Sequence, residues 1–270
     1  METSNSHSDL QKGSSADPAN YRPISQTSVF CKLFERIIAA DITDCLLNNN
    51  LLSKHQHGFL AKRSTLTNLL ESVNDWTLTI NNKQLQNVVY VDFSKAFDTV
   101  SQKKLVGKLQ KYGITGELLS VISDFLSGRS QRTKVGGCLS NNVNLKSGVV
   151  QGSCIGPLLF LIYVNDVFDI FNQPVVTKLY ADDLKLYSII DSDQDNANLQ
   201  QCLDKLLQWS EDWQLAISIN KCQNLHVGNQ NALHGPLAEA KFQIGSFNLP
   251  EDVTVRDLGV TVDCSMHIND

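Results

Sequence analysis

The chain has 270 residues, 42% hydrophobic and 19% charged, with a formal net charge of −5. These are the proportions of a globular protein with a sizeable core, built as one large domain or two modest ones. No apolar run approaches the ~18 residues of a membrane helix, and the acidic total leaves any nucleic-acid contact to local basic clusters such as Lys103, Lys104, Lys108 and Lys111.

Residues 1–19 are polar and lack the apolar segment of a secretory signal. They read as a disordered or linker N-terminus. Residues 27–48 carry Phe30, Leu33, Phe34, Ile37, Ile38, Ile42 and Leu46 at helical spacing, predicting one long helix. Residues 66–76 predict a second. Residues 86–92 form an apolar run that ends in a carboxylate, as a buried strand would. Ser101 is a suitable N-cap for a helix through Lys111, which Gly113 stops. Thr115 or Gly116 starts another through Phe125. Residues 131–138 and 142–148 predict a hairpin across a polar turn, and residues 155–171 a strongly apolar helix after a glycine loop.

Residues 175–180 and 184–190 predict a second hairpin, tipped by Asp182 and Asp183. Residues 196–213 predict an amphipathic helix with Leu199, Leu203, Leu206, Leu207 and Trp209 inward. Residues 215–219, 224–227, 242–244, 247–249 and 253–262 predict small strands. Interleaved helices and hairpins make this an α+β fold. The seven cysteines are scattered and never form a C-x-x-C pair, which fits thiols in a reducing, intracellular compartment and excludes a zinc site by spacing.

Chemistry concentrates at a few points. Tyr180-Ala181-Asp182-Asp183 puts two acids at a hairpin tip, and Asp92 ends another strand. An acid pair is usually a polar turn, and Asp92 alone reads as a cap. Three acids at strand ends far apart in sequence instead suggest a two-metal phosphoryl-transfer site, because hard cations take oxygen ligands. Phe97 alone reads as a core aromatic, and Lys221 as a solvated loop lysine. Ser147-Gly148-Val149-Val150-Gln151-Gly152 is a glycine loop leading into a helix; Gly152, without a side chain, permits close approach of a base or nucleotide.

In order along the chain, these segments resemble the reverse-transcriptase domain of non-LTR, LINE-type retrotransposons. Asp17-Pro18 through Ser25 and Cys31-Lys32-Leu33-Phe34-Glu35-Arg36 resemble the opening of that family's fingers. Gln56-His57-Gly58-Phe59 and Arg63-Ser64-Thr65 resemble its second fingers block. Asp92-Phe93-Ser94-Lys95-Ala96-Phe97-Asp98, Gln151-Gly152-Ser153 and Tyr180-Ala181-Asp182-Asp183 resemble its first three palm motifs. Asn220-Lys221-Cys222 resembles its fourth, and Val255-Arg256-Asp257-Leu258-Gly259-Val260 its fifth. Val150 replaces a usual proline, and Leu60-Ala61 a more basic pair.

The resemblance implies a right-hand polymerase with fingers at 20–85, a palm at 86–265, a truncated end at 266–270 and a thumb largely absent. It implies RNA-directed DNA synthesis, with an RNA template, a DNA primer and deoxynucleoside triphosphates as partners. It implies no membrane, and a nuclear or cytoplasmic location. Asp92, Asp182 and Asp183 would hold two magnesium ions, or manganese, ~3.5–4 Å apart. Lys221 would be the general acid, the Phe93 carbonyl a further ligand and Phe97 the sugar gate. Gln151 and Gly152 would face the nascent pair, and Arg63, Lys62 and Arg22 the triphosphate. The alternative is an inactive retrotransposon fragment that keeps the fold and the site. An RNA-directed RNA polymerase is disfavoured by Phe97, where a small polar residue would be expected. A three-acid nuclease is disfavoured by the Gln151-Gly152 loop.

Overall fold

A computed structural model describes residues 3–10, 21–25, 27–135, 138–171, 173–266 and 268–269. The elements in chain order begin with β1 (Thr3–Leu10), β2 (Tyr21–Ser25), α1 (Val29–Asn48), α2 (Thr65–Asn81), β3 (Leu85–Val91), α3 (Ala96–Thr99), α4 (Gln102–Lys111) and α5 (Gly116–Leu126). There follow β4 (Ser130–Val135), β5 (Cys138–Leu139), β6 (Val143–Asn144), α6 (Gly156–Val164), β7 (Val176–Tyr180), β8 (Asp183–Ile190) and α7 (Asp193–Trp213). The last are β9 (Gln223–Gly228), α8 (Gln230–Leu233), β10 (Gln243–Ile244), β11 (Phe247–Asn248), β12 (Thr254–Asp257), β13 (Val260–Asp263) and β14 (Ile268–Asn269).

The chain forms two compact units, each discontinuous in sequence. The first comprises Met1–Leu52 and Lys95–Val164, the second Ser53–Ser94 and Asn165–Asp270. The second unit joins β3 and its neighbours in the chain to strands from beyond residue 175.

In the first unit, β1 pairs with β2 and β4, and β4 also pairs with β5 and β6. Part of the segment expected to be a linker is thus a strand at Thr3–Leu10; a polar chain pairs through its backbone, which the hydrophobic pattern does not register. Residues 11–20 lie outside the described residues. The expected hairpin at 131–148 exists, but its first half folds on itself: Lys134 pairs with Leu139, while Gln131 pairs with Val143. Helix α6 is buried on every side, which is why its sequence shows no polar face. Its N-terminus is capped from α1, where the Glu35 carboxylate accepts from the amides of Cys154 (2.5 Å) and Ile155 (3.3 Å). Only the second half of α1 buries its apolar stripe, at Ile42 and Leu46.

The second unit is built on an antiparallel sheet in the order β7-β8-β3-β9. Trp76 of α2, Val88, Tyr187, Leu225, Val227, Val255 and Val262 form one core cluster. Leu199, Leu203 and Leu206 of α7 are fully buried, as their spacing predicts. The helix expected over 155–171 ends at Val164 and continues as a 3-10 helix, Asn165–Ile170; the Asn165 side chain there accepts from the Ser53 amide at 2.9 Å. The strand expected at 215–219 reduces to a single bridge at Ile217, followed by the 3-10 turn Ile219–Lys221. The strand expected at 253–262 is a hairpin, β12–β13, turning at Leu258 and Gly259, both at positive φ. Lys185 and Asp257 form a buried ion pair at 2.6 Å beneath the Trp76 ring. Burial pulls the lysine's pKa down against the opposing pull of Asp257. Among the described residues no cysteine forms a disulfide, and no helix is long and apolar enough to cross a membrane.

Candidate active site

Strand register fixes the position of the acids. β3 and β8 pair from Leu85↔Ile190 to Val91↔Leu184. The ladder stops there, one residue before Asp92 on β3 and at the residue after Asp183 on β8, so both acids lie at the same end of the two strands. β7 and β8 close with Tyr180↔Asp183, so Ala181 and Asp182 form a two-residue turn. Asp92 and the acid-bearing turn therefore occupy one end of one sheet. Among the described residues no three His, Cys, Asp or Glu side chains already converge as a cation cage. What the sheet end offers is a set of carboxylate oxygens, the donor chemistry that suits a hard divalent ion.

Asp92 is held from its other side. Its carbonyl accepts from the Ser218 amide at 2.7 Å, and the Ser94 amide donates to Ala216 at 2.8 Å. Phe93 faces Ile217 between these two bonds. Backbone groups alternate along a strand, so the Phe93 carbonyl is directed away from Ile217. Its ring is buried beside Trp209, with centroids 6.1 Å apart. Lys221 reaches Asp92 in an ion pair, Nζ to Oδ1 at 3.3 Å. The lysine is 66% exposed, so the contact places the cation rather than stabilising the fold. Cys222 lies buried behind it, and burial pushes its thiol up to about 11.

The segment Gln56-His57-Gly58 packs on the outer edge of β7. His57 donates its amide to the Leu179 carbonyl (2.8 Å), and the Leu179 amide donates to His55 (3.0 Å). The buried Gln56 amide reaches Ala181 inside the acid-bearing turn. The His57 ring bonds the Thr67 hydroxyl at 2.9 Å, and burial lowers its pKa. Nearby, Lys178 pairs with Glu71. Burial, the largest influence, opposes the Glu71 charge, but the Lys178 hydrogen bond and the charges of Lys178, His57 and Arg63 together outweigh it and the pKa falls.

Arg63, expected at a triphosphate, turns Nη1 onto the backbone carbonyls of Ser53, Lys54 and Gln56. A guanidinium satisfies several acceptors at once, and three carbonyls of one loop converge on it. Lys62 is exposed, in the left-handed region at φ 65°. The Arg22 side chain lies outside the described residues.

The first unit carries the remaining candidates. Phe97 stacks on Phe160 with centroids 4.3 Å apart and planes at 16°. Gln151 donates its amide to the Asp98 carboxylate at 2.8 Å. Gly148 has φ +90°, and an added Cβ would lie 2.9 Å from the Asp98 carbonyl oxygen, so only glycine lets these two loops meet. Gly152 is exposed. Gln151, Asp98, Lys95, Arg129 and Lys146 line a cleft of about 420 Å³. Sequence reasoning missed the bonds from Gln56 to Ala181 and from Asp98 to Gln151, because no local pattern marks contacts between residues so far apart in the chain.

The family described as reverse transcriptase (RNA-dependent DNA polymerase) matches residues 10–262. A probable RNA-directed DNA polymerase from transposon BS of Drosophila melanogaster is 28% identical over 91% of this chain and 28% of that protein. The polymerase from the mobile element jockey of the same species is 30% identical over 79% of the chain and 24% of that protein. The chain thus spans about a quarter of the length of these relatives. Among solved structures, apo telomerase from Candida tropicalis, truncated from its C-terminal domain, aligns with a TM-score of 0.62 at 12% identity, over 98% of this chain and 54% of that one. At such identity the likeness shows a shared polymerase fold alone. Acids aligned by strand register, the motif order and the family match together place this chain in the reverse transcriptase family, in its LINE-type, non-LTR branch.

Proposed function

We propose that this chain is the fingers and palm of an RNA-directed DNA polymerase, adding deoxynucleotides to a DNA 3'-hydroxyl on an RNA template and releasing pyrophosphate. The observation that carries the reading is the β3–β8 register, which brings Asp92 to the end of the sheet that bears Asp182 and Asp183. Those carboxylates and the Phe93 carbonyl would hold two magnesium ions. The bound ions would activate the attacking hydroxyl and offset charge on the departing pyrophosphate.

The chain's own residues supply the rest. Lys221 is placed beside Asp92 by their ion pair, and as an ammonium it is the group that would protonate leaving pyrophosphate. Phe97, its ring fixed against Phe160, would stand under the sugar and exclude a 2'-hydroxyl. Gln151, steadied by Asp98, and Gly152 would face the nascent pair. Lys95, Arg129 and Lys146 give the cleft that Gln151 lines the charge that a template phosphate backbone calls for. A triphosphate contact from Arg63 would fall to its Nη2 and Nε hydrogens, with Lys62 and Arg22 as further cations. Its substrates and template are found inside the cell, in nucleus or cytoplasm.

Primer extension tests the reading. The purified chain, given poly(rA), oligo(dT), thymidine triphosphate and Mg²⁺, should lengthen the primer. Failure to add a single nucleotide across a range of Mg²⁺ and Mn²⁺ would reject it for this chain.

A further inference from the structure

The geometry points to Gln56 as a positioning residue that clamps the acid-bearing turn, with Gly58 as the residue that lets it close. This rests on the polymerase reading of Asp182 but depends on contacts of its own.

Ala181 is the first residue of the two-residue turn and sits in the left-handed region at φ 57°. Hairpins of this length ordinarily place glycine where φ is positive, because a Cβ there is strained. Something must hold an alanine in that conformation, immediately before Asp182. The Gln56 side chain is 2% exposed and meets Ala181 on both of its backbone groups. Its Oε1 accepts from the Ala181 amide at 3.1 Å, and its Nε2 donates to the Ala181 carbonyl at 3.4 Å. The same Oε1 accepts from the Gly58 amide at 2.7 Å. Gln56 is itself bridged to Leu179 by its backbone. The segment therefore adds a short strand to the edge of β7, and the side chain extends that ladder one rung further, to the residue where the chain reverses.

Gly58 supplies an independent argument. A Cβ built there would lie 2.3 Å from the Ala181 nitrogen and 2.9 Å from its Cα. The backbone at 58 presses directly on the turn, and no side chain fits between them. The segment cannot drift, because Arg63 binds its carbonyls and the His57 ring is tied to Thr67 of α2. The hairpin itself is already secured by five β7–β8 pairs. A buried amide that gives two of its three hydrogen bonds to the turn sets the direction in which Asp182 leaves it. That is a metal-positioning role rather than a folding one.

The test uses Gln56→Met, which keeps length and apolar packing but removes both the acceptor and the donor, in the full 270-residue chain. Amide hydrogen exchange at Ala181 and Gly58 should quicken about tenfold or more, while β3 amides keep their protection. Half-saturation by Mn²⁺, followed by electron paramagnetic resonance, should shift upwards several-fold. Primer extension should lose kcat about tenfold, with KM for the triphosphate nearly unchanged. Adding Ala181→Gly, which adopts positive φ without help, should recover part of kcat in the Gln56→Met background. Unchanged exchange at Ala181, or an unchanged Mn²⁺ midpoint, overturns the clamp. So does a general loss of protection across β3, which would make Gln56 a mere packing residue. Exchange and Mn²⁺ binding need no turnover, so an inactive parent chain would sink the polymerase reading without deciding this one.

Discussion

The sheet end of the second unit and the loop pair of the first carry chemistry of the same family but are held in different ways. Asp92, Asp182 and Asp183 are placed by backbone: a seven-pair register between β3 and β8, closed by a two-residue turn. Phe97, Asp98 and Gln151 are placed by contact: a ring stacked on Phe160, an amide bonded to a carboxylate, and a loop that closes only over Gly148. A ladder of main-chain bonds does not depend on the side chains it presents. Chemistry and stability should therefore separate in the second unit and travel together in the first.

The largest effect follows from removing an acid. Asp182→Asn should lower primer extension about 10³-fold or more, since losing a metal ligand forfeits several kcal/mol of transition-state stabilisation. The fold should be unchanged or slightly steadier, because one of several like charges at the sheet end is gone. Extension kinetics beside a thermal melt read both halves. Parent-like extension would remove the metal assignment, and a large drop in melting temperature would remove the separation of chemistry from stability.

Phe97→Ala is the matching experiment on the loop side. Truncating the ring should cut discrimination against ribonucleotides about tenfold or more, the scale of a steric exclusion worth about 1–3 kcal/mol. It also deletes the stack on Phe160, so stability should fall together with selectivity. Single-nucleotide addition with paired deoxy- and ribonucleotides, set beside a urea melt, decides the matter. Unchanged sugar selectivity would dismiss the gate.

The same contrast explains what was legible in the sequence. The acid-tipped hairpin, the strand before Asp92 and α7 were all readable, because each follows from a local hydrophobic period and a turn. The second role of Arg63 was hidden for the opposite reason: an arginine beside a fingers-like motif suggests an anion, and nothing in the sequence marks the carbonyls 7 to 10 residues back in the chain that its Nη1 also holds. The Gln56–Ala181 contact spans 125 residues and has no sequence period at all. β1 escaped for another reason again, since a polar strand held by backbone pairing looks like a linker.

Acid should reveal the second unit selectively. Burial lowers the pKa values of His55, His57 and His226, all in that unit, below the ordinary 6.5. Well above that pH these rings are neutral in both folded and unfolded chains and contribute no pH dependence. Below it the unfolded chain binds protons that the folded chain refuses, so stability falls until the lowered folded values are passed. For the buried His57 ring each pH unit of separation is worth about 1.4 kcal/mol. All three tryptophans, Trp76, Trp209 and Trp213, belong to the same unit, so their fluorescence reports it alone. Its urea midpoint should decline between about pH 7 and about pH 5. A flat midpoint over that span would mean that the histidines take up protons as readily in the folded chain as in the unfolded one.

The smallest effect is expected on α1, and its size is informative. Helices α1 and α7 are of similar length and both carry apolar residues at helical spacing, yet Leu203 of α7 is fully buried while Phe30 of α1 is 84% exposed. Periodicity shows that a face is apolar, not that anything covers it. The same stripe continues through Leu33, Phe34 and Ile37, which are exposed with Phe30. Phe30→Ser should therefore change unfolding free energy by no more than about 0.5 kcal/mol, the range of ordinary surface substitutions. The same change should reduce self-association in sedimentation, because contiguous exposed apolar surface promotes contact between molecules. A cost above about 2 kcal/mol would instead have the magnitude of a buried aromatic. The first half of α1 would then be covered in solution, and the contrast between the two helices would vanish.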